Sequence, residues 1–485
     1  MAGITYDAAA HLLRRMGFGG SPAEIDDITS RGREGAVDLL INYEQIDNRA
    51  MEDMLRSSFD FSDPFDFPRF NRGELQRWWF TRMTYTRRPF EEKMTLFWHN
   101  HFATSASKTG DLFVYNQNLT LRSHALDQFE SLLLRVAQDP AMLLWLDGIT
   151  NVRGKPNENF ARELQELFTM GITDAVTGEP NYTEQDVKEI ARAFTGWKFF
   201  HPRNDPNPFS YQFIVNPPEH DNTTKTIYGG TQWARTGNLD GADVIGVICA
   251  RRATARYVVK KLFDFFVYPL GEAIDRATIE KFADVYMNRN HSIKELVSAI
   301  FTSDEFFSQR ARFALVKSPV EIIVGPIRML GARYNPGASA REAASNNILP
   351  AVSIFLGQEL FNPPDVSGWK LNLGWINTST LLNRFTYADL LAINRTRDLN
   401  APGLWLSQEQ LRSLAKKNSK KTVKKLLSIL GPLDVGSEIV AALRNYLESD
   451  DGGNSAGFAP DDLTIDKKVR GLIHLIMCLS EFQLN

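Results

Sequence analysis

DGITNVRGKPNENFARELQELFTMGITDAVTGEPNYTEQDVKEIARAFTGW, from Asp147 to Trp197, alternates loop and helix twice. Pro156 and Asn157 favour a turn, and a helix is predicted from about Glu158 to Met170, closed by Gly171 in a left-handed stop. At about 100° per residue, Phe160, Ala161, Leu164, Leu167 and Phe168 share one arc. The opposite arc carries Glu158, Asn159, Arg162, Glu163 and Glu166, so Glu158, Arg162 and Glu166 stack as an i, i+4, i+8 stripe. Such a stripe suits a solvated ladder of ion pairs. It equally suits the mouth of a cleft in which carboxylates move protons or hold a cation.

Working outward, helix follows helix. Thr5 or Asp7 caps a first helix, and Ser21 caps a second with Pro22 at its first position. Pro89 opens a helix through FEEKMTLFWHNHF, Thr183 with Asp186 reads as a capping box, and helices resume from Asp240. Two stretches break the rhythm. Residues 198–236 read as an irregular insertion with a hairpin of Tyr211–Val215 and Thr224–Tyr228 around NPPEHDNTT, carrying Glu219, His220 and Asp221. Residues 362–380 hold Pro363, Pro364, Gly368 and Trp369, and FTGWK and NPPDVSGWK read as structural corners. Residues 58–72 form an aromatic-rich loop, and an acidic, glycine-rich loop at Ser449–Asp462 precedes the last helix. A basic amphipathic helix around Lys416–Leu430 reads as a solvated face or a membrane-surface contact. The expectation is a mainly α, multi-helical, bundle-like globular array with a small β-hairpin insertion. It forms one domain over 1–485, with a C-terminal helical subregion at 403–485.

The 485 residues are 43% hydrophobic and 23% charged, as in a globular chain with ample core. A formal charge of −3 gives no concentrated basic surface and hence no reason to expect nucleic acid as a partner. Cys249 and Cys478 sit in apolar runs and read as small buried hydrophobes. No window reaches the roughly 18 apolar residues of a spanning helix. The N-terminus lacks the pattern of a secretory signal, so cytoplasmic residence is the expectation from the residues. There is no GxSxG, HExxH, GxxxxGKS or CxxC, so no nucleophile or metal motif announces itself.

PNENFARELQELFTMG from Pro156, then NYTEQDV and ARAFTGW, closely resemble the signature of the bacterial DUF1800 proteins, a domain of unknown function. The resemblance extends to HLLRRMGFG from His11, FWHNHFAT from Phe97, DPAMLLWLDG from Asp139 and LVKSPVEIIVG from Leu315. It continues through GQELFNPPDVSGW from Gly357, WINTSTLLNRF from Trp375 and SEFQLN at the end. It implies no particular reaction. It does imply export as the alternative location, because many relatives look secreted. It also implies a protein partner of the alkaline-phosphatase and sulfatase type, beside which relatives often sit.

Two functional expectations follow. The first is an enzyme with Glu163, Glu166, His220 and Asp221 as acid–base groups and Asn157, Asn159, Arg162, Trp197, Trp369 and Trp375 as substrate contacts. In it a divalent metal ion is held by Glu158, His99 and His101. On a helix His99 and His101 point about 200° apart, so a shared ion requires local unwinding, and a buried hydrogen bond is the plainer role. The second is a binding or scaffold protein that presents Trp197, Trp233, Trp369 and Trp375 to a glycan, another polymer or a protein.

Overall fold

The computed structural model describes residues 4–66, 69–271, 275–337, 348–393, 403–450 and 452–485. Phe67 and Pro68 of the aromatic-rich loop and Asp451 of the acidic loop lie outside the described residues. The chain is mainly α-helical, with three small antiparallel two-stranded sheets. Local chemistry sets the helix starts. Thr5 accepts from the amide of Ala8, and Ser21–Glu24, Thr183–Asp186 and Ser318–Glu321 close capping boxes at three others.

Buried apolar residues fall into two clusters. One gathers residues from the first two helices and from 121–311. The other gathers residues 51–83 and 320–482. Helix Pro89–His101 lies between them: Phe90, Met94, Phe97 and Trp98 enter the first cluster and Leu96 the second. Every residue from Glu92 to His99 is buried. A helix buried all round has no face left for solvent, so its polar residues must find partners inside.

They do. Glu92, fully buried, accepts from Trp79 Nε1 at 2.9 Å, Arg82 Nε at 2.9 Å and Arg122 at 2.8 Å. Arg82 comes from helix Arg72–Tyr85 and Arg122 from helix Asp111–Ser123, so one carboxylate ties three helices. Lys93 next to it pairs with Glu321, which also accepts from Asn485 Nδ2 at 2.6 Å.

The insertion differs from expectation. Gln212–Val215 pairs with Trp197–Phe200, and Lys225–Ile227 pairs with Arg235–Gly237, so there are two hairpins in place of one. The FTGWK corner is the reason. Gly196 has φ 76°, and its carbonyl accepts from the amide of Asn216 at 2.7 Å. A Cβ there would stand 2.8 Å from the Asn216 carbonyl and the His220 nitrogen, so the Pro217–Asp221 loop folds back onto the corner rather than forming a β-turn. The expected helix of Glu158–Met170 is also divided, into Asn159–Glu163 and a π-helical turn, Leu164–Thr169. The basic helix spans Ser419–Ile429.

Glu92→Gln removes the charge that balances two buried guanidiniums. It is expected to cost about 3–5 kcal/mol in urea unfolding, the usual loss on breaking a buried ion pair. An unchanged unfolding midpoint would mean that the cluster does not tie the helices.

Candidate functional site

Where helix Pro89–His101 ends, a cleft of about 290 Å³ opens at the seam between the two clusters. Phe97, Asn100 and His101 form one wall, Lys261, Asp264 and Phe265 of helix Arg252–Phe266 a second, and residues 367–372 the third.

The third wall is the NPPDVSGWK corner. Asp365 opens a turn by accepting from Ser367, and Gly368 follows with φ 76°. Asn100 Oδ1 then accepts from the amide of Trp369 at 2.7 Å. A Cβ on Gly368 would overlap both Asn100 Oδ1 and the Asn100 carbonyl, so only glycine permits this approach. The Trp369 ring turns inward onto His99, with centroids 5.5 Å apart. His99 Nε2 accepts from the amide of Phe361 at 3.1 Å. Phe361 itself has φ 64°, an unfavourable conformation for a bulky residue, held here by that bond and by burial against Trp79.

His101 has a different task. The π-helical turn leaves carbonyls near its end without the usual amide partner. Tyr257 Oη donates to the Leu167 carbonyl at 2.8 Å, and His101 Nε2 donates to the Phe168 carbonyl at 2.9 Å. A carbonyl can only accept, so Nε2 carries the proton and Nδ1 keeps a lone pair. That Nδ1 is buried without a hydrogen-bond partner among the described residues. Burial pushes both His99 and His101 down to about 3, with the Lys261 charge adding to the effect on His101. Both imidazoles are therefore neutral at ordinary pH.

The cleft's charges are Lys261, Asp264 and Lys370. Asp264 is engaged by Lys260 Nζ at 2.7 Å and by the amide of Leu270 at 2.9 Å, and burial raises its pKa. Lys261 has no hydrogen bond or ion pair among the described residues, and burial lowers its pKa against the pull of Asp264. Lys370 is exposed at the rim. An adjoining hollow shares Asp264, Phe265, Leu371 and Asn372 and is closed by Trp375 and Glu321.

Of the residues expected from the sequence, His101 and Trp369 line this cleft and Trp375 lines the adjoining hollow. His99 stands behind Trp369. The others lie elsewhere. Arg162 bridges Glu158 at 3.4 Å, Glu166 at 3.6 Å and Glu184 at 2.8 Å, and Tyr182 donates to Glu166. Glu163 is half-buried without a partner among the described residues, and burial followed by the Glu166 charge raises its pKa.

Asn157 accepts from the amide of Asn159, whose Nδ2 reaches Asp147 at 3.5 Å. His220 Nδ1 donates to the Thr195 carbonyl at 2.8 Å, and Asp221 accepts from Arg192 and Thr223. The loops carrying these residues do meet: the amide of Arg153 donates to the Glu219 carbonyl at 2.7 Å. Trp197, Trp369 and Trp375 are 2, 6 and 5% exposed, so they serve the core and offer at most a ring edge to a ligand. Among the described residues, no three His, Cys, Asp or Glu side chains are grouped so as to hold a metal ion. Glu158, His99 and His101 face three different environments. Sequence reading missed Lys261, Asp264 and Asn100, although two lysines and an aspartate inside the apolar run VVKKLFDFF were a signal.

The molecule is thus a mainly helical protein with two apolar clusters and a small polar cleft at their seam. The chain belongs to the DUF1800 family, described as a protein of unknown function, whose model matches residues 11–484. No curated protein and no solved structure matches it. Among the described residues, no helix is long and apolar enough to cross a membrane.

Two outcomes are expected here. With both folded histidines near 3 against an ordinary 6.5, the native state binds fewer protons between those values. Their contribution is then complete above 6.5 and is lost as pH falls toward 3, by up to about 1.4 kcal/mol per pH unit for each histidine. Proton NMR should show His99 and His101 still neutral at a pH of about 4.5, and titration of all eight histidines near their ordinary value would contradict the burial. Trp369→Ala should lose about 3–5 kcal/mol in denaturant unfolding, and wild-type stability would deny the corner its packing role.

Proposed function

We propose that this chain is an enzyme whose site is the seam cleft, acting on a small anionic substrate held by Lys261. The observation that carries the reading is Lys261 itself. A half-buried ammonium with no hydrogen bond or ion pair among the described residues is an incomplete arrangement, and an anionic group of a ligand completes it. The neighbouring carboxylate does not serve, because Asp264 is already engaged by Lys260. Phe97, Phe265 and the edge of Trp369 supply apolar walls, and the volume suits a small molecule rather than a chain. Burial lowers the pKa of Lys261, which eases release of a proton from its ammonium. Asn100, fixed by Trp369, gives the wall its shape.

A second reading rests on Glu163. Its carboxyl, raised by burial and by Glu166, suits a general acid on the face that also carries Asn159 and Asp147. Glu166, Arg162 and the His220–Asp221 loop would then frame the substrate.

Thermal unfolding with citrate, acetate and inorganic phosphate as probe anions separates the two. The seam reading expects at least one probe to raise the melting temperature of the wild type and to leave Lys261→Met unmoved, while Glu163→Gln responds as the wild type does. Equal stabilisation of the Lys261→Met variant, or no response by any protein, would overturn it. Loss of the response in Glu163→Gln alone would move the site to the Glu163 face.

A further inference from the structure

The Ser419–Ile429 helix turns Val423 and Leu427 inward and leaves Lys420 and Lys424 exposed, one helical turn apart. Beside it runs a groove of about 570 Å³, between this helix, the turn at residues 432–435 and the chain's first helix. Its apolar lining is Val423, Leu427 and Leu433, largely buried, with Val435 and Val440 keeping part of their surface open along the groove. Its rim is charged. Lys420 and Lys424 stand on one edge, and neither has a hydrogen bond or ion pair among the described residues. Arg312 stands on the other edge, 3.3 Å from Asp7, and Asp434 is the remaining carboxylate. Three cations against two carboxylates leave the rim positive by one, with both free ammonium groups on the same side.

We infer that this groove binds a free amphiphile with one anionic head and an unbranched apolar chain, a medium-chain carboxylate. The floor removes methylene groups from water, each worth burying, and the two unpaired ammonium groups receive the head. The volume lies in the range of small-molecule sites. A membrane surface fits less well. The helix's apolar face already rests on helices Ser437–Glu448 and Arg470–Met477, so it has no free face to insert among lipids. This site lies apart from the seam cleft and does not depend on it.

Isothermal titration of the full chain with sodium decanoate, kept below its micelle concentration, tests the inference. One decanoate should bind per chain, and decyltrimethylammonium, with the same tail and opposite charge, should not. The double variant Lys420→Glu/Lys424→Glu alters only exposed side chains, so it should fold as the wild type does while binding decanoate about tenfold more weakly. No binding of decanoate, equal binding of the cationic amphiphile, or unchanged affinity in the double variant would each overturn it. So would sedimentation with phosphatidylglycerol vesicles in the absence of decanoate binding, which would make the basic face a membrane contact.

Discussion

One buried carboxylate organises the molecule. Glu92 lies at the start of a helix that runs between two apolar clusters, and it binds Trp79, Arg82 and Arg122 at once. Burial alone would raise its pKa, but the two guanidinium charges and their hydrogen bonds outweigh that and hold it at about 2. Its neighbour Glu91, whose carboxylate has no hydrogen bond or ion pair among the described residues, is pushed up to about 7 by burial and by the Glu92 charge, against the weaker pull of nearby guanidiniums. The contrast shows what the cluster does: it allows one full charge inside, and that charge ties helices Arg72–Tyr85, Pro89–His101 and Asp111–Ser123 to one another.

The cleft is a consequence of this seam. A helix buried along its length must end somewhere, and at His101 its end meets two segments that cannot close over it completely. One is the π-helical turn, whose free carbonyls recruit His101 and Tyr257. The other is the Gly368–Trp369 corner, which Asn100 clamps by its backbone. What stays open between them is a small space with aromatic walls and the Lys261 ammonium, which lies 5.8 Å from the Tyr257 ring centroid and has no hydrogen bond or ion pair among the described residues. Rigid backbone on two sides and a buried hydrogen-bond network behind it give the space a fixed shape, as a binding site requires.

Much of the fold was legible in the sequence because it is local chemistry. Ser21 with Glu24 and Thr183 with Asp186 read as caps and are caps. The mainly helical class and the positive φ of Gly171, Gly196 and Gly368 followed from residue type and position. The pairing of the hairpins was not legible, because it depends on which backbone comes close to Gly196. The π-helical turn was hidden for the same reason: its carbonyl partners lie 67 and 90 residues away in the chain. As for the site, sequence reading marked His101 and Trp369, which stand at the cleft, by their aromatic and imidazole character. It passed over Lys261 because a lysine in an apolar helix looks like a solvated residue until its surroundings are known. The stripe of Glu158, Arg162 and Glu166 shows the opposite difficulty. Its spacing is right for both an ion-pair ladder and a site, and the structure shows the ladder: Arg162 bridges Glu158 and Glu166, with Glu184 and Tyr182 as further partners that the spacing could not reveal.

The central claim is that Lys261, with no hydrogen bond or ion pair among the described residues and with its pKa lowered by burial, opens into the seam cleft. Competitive acylation with limiting acetic anhydride near neutral pH, read by peptide mass spectrometry, addresses it directly. Lys261 should acylate ahead of Lys260, which is bound to Asp264, and ahead of exposed Lys370, and the anion that stabilises the protein should protect it. If Lys261 proves inert, or reacts no faster than those two lysines and is unprotected by any anion, the cleft is not the site described.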